Sequence, residues 1–107
     1  MKPRPKEKES DIQHAVLQYL SLKGIFHYRN SVGAFKTERG FYRFGAVGSG
    51  DIIAVIGGIY VAIEIKGTGK SQTPAQETFQ ANLEHAGGQY WLIHSLDELI
   101  NKLETLK

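Results

Sequence analysis

Cysteine is absent from the 107-residue chain, which excludes disulfide frameworks, thiolate zinc sites and cysteine nucleophiles together. No window approaches the roughly 18 consecutive apolar residues of a membrane span. The basic start Met1-Lys2-Pro3-Arg4-Pro5-Lys6 has no apolar stretch behind it, so it does not read as a signal peptide and a cytoplasmic protein is expected. Internal repeats and low-complexity tracts are missing as well. What is present is ordinary for a globular protein, with 41% apolar and 22% charged residues. A chain of 107 residues suffices for one hydrophobic core and not for two. Residues 1–107 are read as a single domain, with 1–6 as a flexible basic arm.

The net charge of +2 is an average over unlike halves: residues 1–50 hold nine Lys/Arg against four Asp/Glu, and residues 51–107 hold four against seven. A basic half makes nucleic acid a partner worth testing.

Ile12, Val16, Tyr19 and Leu20 recur at helical spacing and predict a helix over about 6–23, stopped by Gly24. Its start has two readings, a capping box of Ser10 with Gln13 or a longer helix with Pro5 in its first turn. The longer one places Glu9 on the buried stripe. Residues 25–29 and 41–44 predict two short strands joined by a mobile loop, with Phe26, Phe41 and Phe44 as core. Residues 51–56 and 59–66 are β-rich and flank Gly57-Gly58, a strong hairpin signal. Thr73-Pro74-Ala75-Gln76 opens a second helix through a capping box, continued by Phe79 and Leu83. Residues 90–94 form a buried strand, and Ser95 with Glu98 opens a last helix with Leu99, Ile100, Leu103 and Leu106 inward. The fold class is α/β, a mixed sheet flanked by helices in the order α-β-β-β-α-β-α.

With only two glycines in the hairpin loop, Asp51 falls directly opposite Glu64. Opposed residues share one face with Cβ atoms about 4.5–5.5 Å apart, and like charges there are destabilising. Lys66 emerges on that same face, whereas Ile52, Ala54, Ile56, Ile59, Val61, Ile63 and Ile65 make the other face apolar. Two converging carboxylates are relieved by protonation, by a neighbouring cation or by a divalent metal. All-oxygen coordination suits Mg²⁺ or Mn²⁺. The plainer reading is a hairpin end that carries charges because it reaches solvent. The three residues in one register favour a site, because metal-assisted hydrolysis needs two carboxylates and a nearby cation.

The pattern Asp51…Glu64-Ile65-Lys66, with Glu9 upstream, Gly48-Ser49-Gly50-Asp51-Ile52 before it and Gln76 after Thr73-Pro74, resembles the VRR-NUC family of the PD-(D/E)XK nuclease superfamily over nearly the whole chain. The resemblance implies a restriction-endonuclease-like core. It makes Asp51, Glu64 and the backbone carbonyl of Ile65 ligands of Mg²⁺ or Mn²⁺, with Lys66 orienting or helping to deprotonate water. Glu9 would add an acidic group and Gln76 a hydrogen bond to Lys66, water or phosphate. Each also has a plain reading, Glu9 as a solvated first-turn glutamate and Gln76 as a capping residue. One departure is Gly50 where the family commonly has proline, which implies a changed backbone approach without loss of a ligand.

His27, Tyr28, Arg29, Lys36, Arg39, Tyr42 and Arg43 have the composition of a DNA-contacting surface. The histidines lack metal-ligand spacing, and Gly67-Thr68-Gly69-Lys70 lacks the full spacing of a phosphate loop. The function expected is a metal-dependent DNA endonuclease. The resemblance adds selectivity for branched, Holliday-junction-type DNA; the small size favours a homodimer, and a phage or mobile-element setting suits so small a nuclease. Two alternatives stand beside it, a monomeric flap or single-strand nuclease and a non-catalytic nucleic-acid-binding module.

Overall fold

A computed structural model describes residues 7–106 of the chain; the arm at 1–6 lies outside them. Helix α1 spans Glu9–Leu22, followed by strands β1 (Phe26–Arg29), β2 (Gly33–Thr37), β3 (Gly40–Phe44), β4 (Ile52–Ile56) and β5 (Ile59–Ile65). Helix α2 (Pro74–His85), strand β6 (Gln89–Ile93) and helix α3 (Leu96–Glu104) complete the order. The main sheet runs β1-β4-β5-β6, antiparallel except for the parallel pair β5 and β6. The return from β5 to β6 passes through α2, as a parallel pair requires a crossover.

Within this sheet and its helices the order is α-β-β-β-α-β-α, the order expected. The departure is an inserted ribbon. Residues 33–37, expected as part of a mobile loop, form β2, which pairs with β3 from Gly33↔Phe44 to Thr37↔Gly40. The strand at 25–29 does not join the one at 41–44; it pairs with β4, Phe26 against Val55 and Arg29 against Ile52. The alternation of Phe35 and Thr37 with Lys36 was hidden between two glycines, which read as loop.

The sheet is apolar on both faces because both are covered. Ile52, Ala54, Val61, Ile63 and Ile65 meet Ile12, Val16 and Leu20 of α1 and Leu99 of α3 on one side. Ile53, Ala62 and Tyr90 meet Phe79 and Leu83 of α2 on the other. Helix α1 starts with Lys8 as its N-cap and no side-chain cap, so the Ser10–Gln13 capping box is not formed. Helix α2 has its full capping box, in which Gln76 N–H donates to Thr73 Oγ1 and Thr73 N–H to Gln76 Oε1. Phe26, Phe41 and Phe44, expected in the core, are exposed, since β1 is an edge strand and the ribbon packs on no other element. No described helix is long and apolar enough to cross a membrane.

Candidate active site

The site forms where β4 begins and β5 ends. The ladder runs in the expected register, Ile52 against Ile63 through Ile56 against Ile59, and then breaks at Asp51. The Asp51 N–H donates to the Ile63 carbonyl at 2.8 Å, one residue away from the partner that strict pairing would give. Such an offset is a β-bulge, a device that re-aims a side chain at the end of a ladder. Direct opposition of Asp51 and Glu64 is therefore corrected. Asp51 turns toward the end of β5, where its Oδ2 accepts the Ile65 N–H at 2.8 Å. The N–H and C=O of one extended residue point to the same side of a strand, so the Ile65 carbonyl faces the edge that Asp51 occupies.

Glu64 is 8% exposed and stands on the α2 side of the sheet. Its Oε1 accepts from Gln76 Nε2 at 2.8 Å and lies 3.9 Å from Lys66 Nζ. Gln76 thus closes the capping box with its carbonyl oxygen, its plain reading, and its amide nitrogen holds Glu64 where a bond to Lys66, water or phosphate was expected. Burial, and then the Asp51 carboxylate, push the Glu64 pKa up to about 7, although Lys66 and Gln76 act in the other direction. Burial also raises Asp51, with Glu9 adding to the rise, while the Ile65 N–H, Lys66 and Arg29 oppose it. Two carboxylates share a poorly solvated corner that protein cations only partly neutralise.

Glu9 reaches this corner from α1 but not from a buried position. Its side chain is 46% exposed; Oε1 accepts the Gly67 N–H at 2.9 Å and faces Lys70 Nζ at 3.8 Å. Helical spacing does put Glu9 on the side of Ile12 and Val16, but at the helix end that stripe overhangs the end of β5 and meets water.

Sequence reasoning missed the residues that brace the Asp51 loop. Asn30 donates from Nδ2 to the Gly50 carbonyl at 2.9 Å and to Ser49 Oγ at 2.7 Å, and its N–H donates to the Asp51 carbonyl at 2.8 Å. Tyr90 OH donates to the Gly48 carbonyl at 3.2 Å, and burial next to Glu64 and Asp51 raises its pKa so that it keeps this proton. Gly50 has φ +98°, a value closed to proline. Gly48, at φ +81°, passes so close to α2 that a Cβ would lie 2.6 Å from the Ala75 carbonyl oxygen. Asn directly after a strand and tyrosine in the neighbouring strand were legible as residues, not as braces.

The proposed DNA-contacting residues divide. Arg29, near Asp51, and Tyr28 are exposed, as are Lys36, Arg39, Tyr42 and Arg43 on the ribbon. His27 does not belong with them: it is part-buried, its Nδ1 is 2.7 Å from the Ile25 carbonyl oxygen and its Nε2 is 3.4 Å from Ser21 Oγ.

The donor set fits a hard divalent cation. Asp51 is engaged through Oδ2 and Glu64 through Oε1, leaving each carboxylate a second oxygen. No three His, Cys, Asp or Glu side chains among the described residues converge on one point; a cation here would draw on two side chains, backbone oxygen and water, as Mg²⁺ commonly does. No family model, curated protein or solved structure matches the chain.

Proposed function

We propose that the protein is a metal-dependent DNA endonuclease of the restriction-endonuclease-like, VRR-NUC type. The observation that carries this reading is the corner of Asp51, Glu64 and Lys66, two carboxylates left under-neutralised beside an ammonium group. Asp51, Glu64 and the Ile65 carbonyl would hold Mg²⁺ or Mn²⁺, which when bound supplies positive charge at a scissile phosphate and acidifies water. Lys66, only 15% exposed, would orient water and stabilise charge on the phosphate as it is attacked. Gln76 and the Ile65 N–H are positioning groups, since each spends a hydrogen bond on one carboxylate oxygen. Glu9 adds negative charge at the edge and braces Gly67.

The preference for branched, Holliday-junction-type DNA rests on the resemblance of motifs. Pairing of two copies is supported by an apolar row of Phe26, Tyr28, Val55 and Tyr60, exposed on the α2 side of the sheet. The test is cleavage of linear duplex, flap and four-way-junction DNA in Mg²⁺, Mn²⁺ or EDTA, with Glu64→Ala and Lys66→Ala alongside. Metal-dependent cleavage lost in both variants supports the site. Cleavage that survives in both removes it, and sedimentation as a monomer at working concentration removes the paired enzyme.

A further inference from the structure

The ribbon of β2 and β3 is the one part of the described chain that the site does not explain. A two-stranded ribbon alone is marginally stable in water, yet this one packs on no other helix or strand and exposes large rings. Alternation sorts its side chains sharply. Phe35 pairs with Tyr42 across the ribbon, and their rings stack at 5.6 Å with an interplanar angle of 23°. Phe44 continues the row, 6.4 Å from Phe35, its ring lying across Gly33. These rings are 53%, 46% and 45% exposed. The reverse face carries Lys36, paired with Phe41, and Arg43, paired with Ala34.

We infer that this aromatic face is a stacking platform for the bases of unpaired nucleotides, and that it delivers a single-stranded segment of DNA to the site. The inference rests on the nuclease reading for its destination and on the ribbon alone for its ligand. Three observations choose this ligand. Rings in a row offer π-faces that any base can cover, the means by which single strands are held without sequence preference. Lys36, Arg39 and Arg43 against the single Glu38 make the ribbon cationic, which suits a phosphate backbone and disfavours a second ribbon of the same charge. The ribbon also springs from the site: Asn30, just before it, and Ser49, just after it, are hydrogen-bonded to each other, and the Asn30 N–H donates to the Asp51 carbonyl. A strand lying on the rings therefore leads toward Asp51.

The test compares oligo(dT) with a strand of equal length made of abasic residues, which keeps the phosphates and removes the bases. Binding is measured by fluorescence anisotropy in EDTA for the wild-type protein, Phe35→Ala/Tyr42→Ala and Phe35→Trp. The wild type is expected to prefer oligo(dT) about tenfold, the size of one base stacked on one ring. The double variant should lose that preference while holding the abasic strand unchanged, and Phe35→Trp should retain it. Circular dichroism of the double variant should be that of the wild type, since the rings cover no core. Equal affinity of the wild type for both strands overturns the inference. So does a wild-type dimer that becomes monomeric in the double variant with its base preference intact, because the ribbon is then a subunit interface. Loss of cleavage in every metal with the base preference kept removes the nuclease reading and leaves the platform standing.

Discussion

The corner at Asp51 and the ribbon at 33–44 leave the same short stretch of backbone and obey opposite rules. In the corner, polar groups are buried and each is tied: Glu64 to Gln76, Asp51 to Ile65, the preceding loop to Asn30 and Tyr90. On the ribbon, apolar rings are exposed and touch mainly one another. Burying ionisable groups and exposing aromatic ones both run against stability. On the reading proposed above, each region is built for something outside the folded chain, a cation for the corner and a base-bearing polyanion for the ribbon.

The largest effect that would break this contrast is catalytic. Glu64→Gln and Lys66→Ala should each lower metal-dependent cleavage by up to about a thousandfold, the upper scale of removing a group that acts on developing charge. DNA affinity, which the proposed platform on the ribbon would govern, should change little; single-turnover cleavage with parallel anisotropy binding measures both.

Next in size is the pH dependence of stability. Glu64 in the folded, metal-free protein titrates at about 7 against an ordinary 4.5, so the folded state holds a proton that the unfolded chain has released. Stability present at low pH is lost as pH rises from about 4.5 to about 7, by roughly 3 kcal/mol if the whole shift is expressed. Thermal melts in EDTA should show this fall. Glu64→Gln should flatten it, and Mg²⁺ at pH 8 should restore the wild type but not the variant. A melt that stays level from pH 5 to 8 would separate burial of Glu64 from its titration.

Gly48→Ala should cost about 2 kcal/mol, because the position has φ +81° and its new methyl would strike the Ala75 carbonyl at the start of α2. Denaturant unfolding measures the loss, and cleavage should fall with it because Gln76 rides on the same turn. The smallest effect belongs to the ribbon. Phe41→Ala, at a residue 74% exposed, should leave unfolding within about 0.5 kcal/mol of wild type. A larger loss would mean that the ribbon is covered in solution.

Much of the corner was legible because it is local. Two glycines between β-rich runs set a register, and 12 intervening positions bring Asp51 back beside Glu64, with Lys66 two residues further on; the capping box at Thr73 likewise announces Gln76. The bulge at Asp51 was not legible, since pairing beyond the end of a ladder depends on what the neighbouring loop allows. Here that is Gly50 at positive φ and Asn30 just beyond the end of an adjacent strand. The aromatic runs misled for a related reason: Phe41 and Phe44 look like core in any sequence, and only the absence of a covering element makes them surface.

The sequence by itself therefore determined every element but β2, the hairpin and the identity of the carboxylates and lysine, because these follow from periodicity and short-range turns. Only the tertiary structure decided that Glu9 stands half in water holding Gly67, that His27 is tied down behind the sheet, and that the ribbon stands apart. Those outcomes depend on which surfaces meet across long stretches of chain, and burial is a property of that meeting and not of any residue alone.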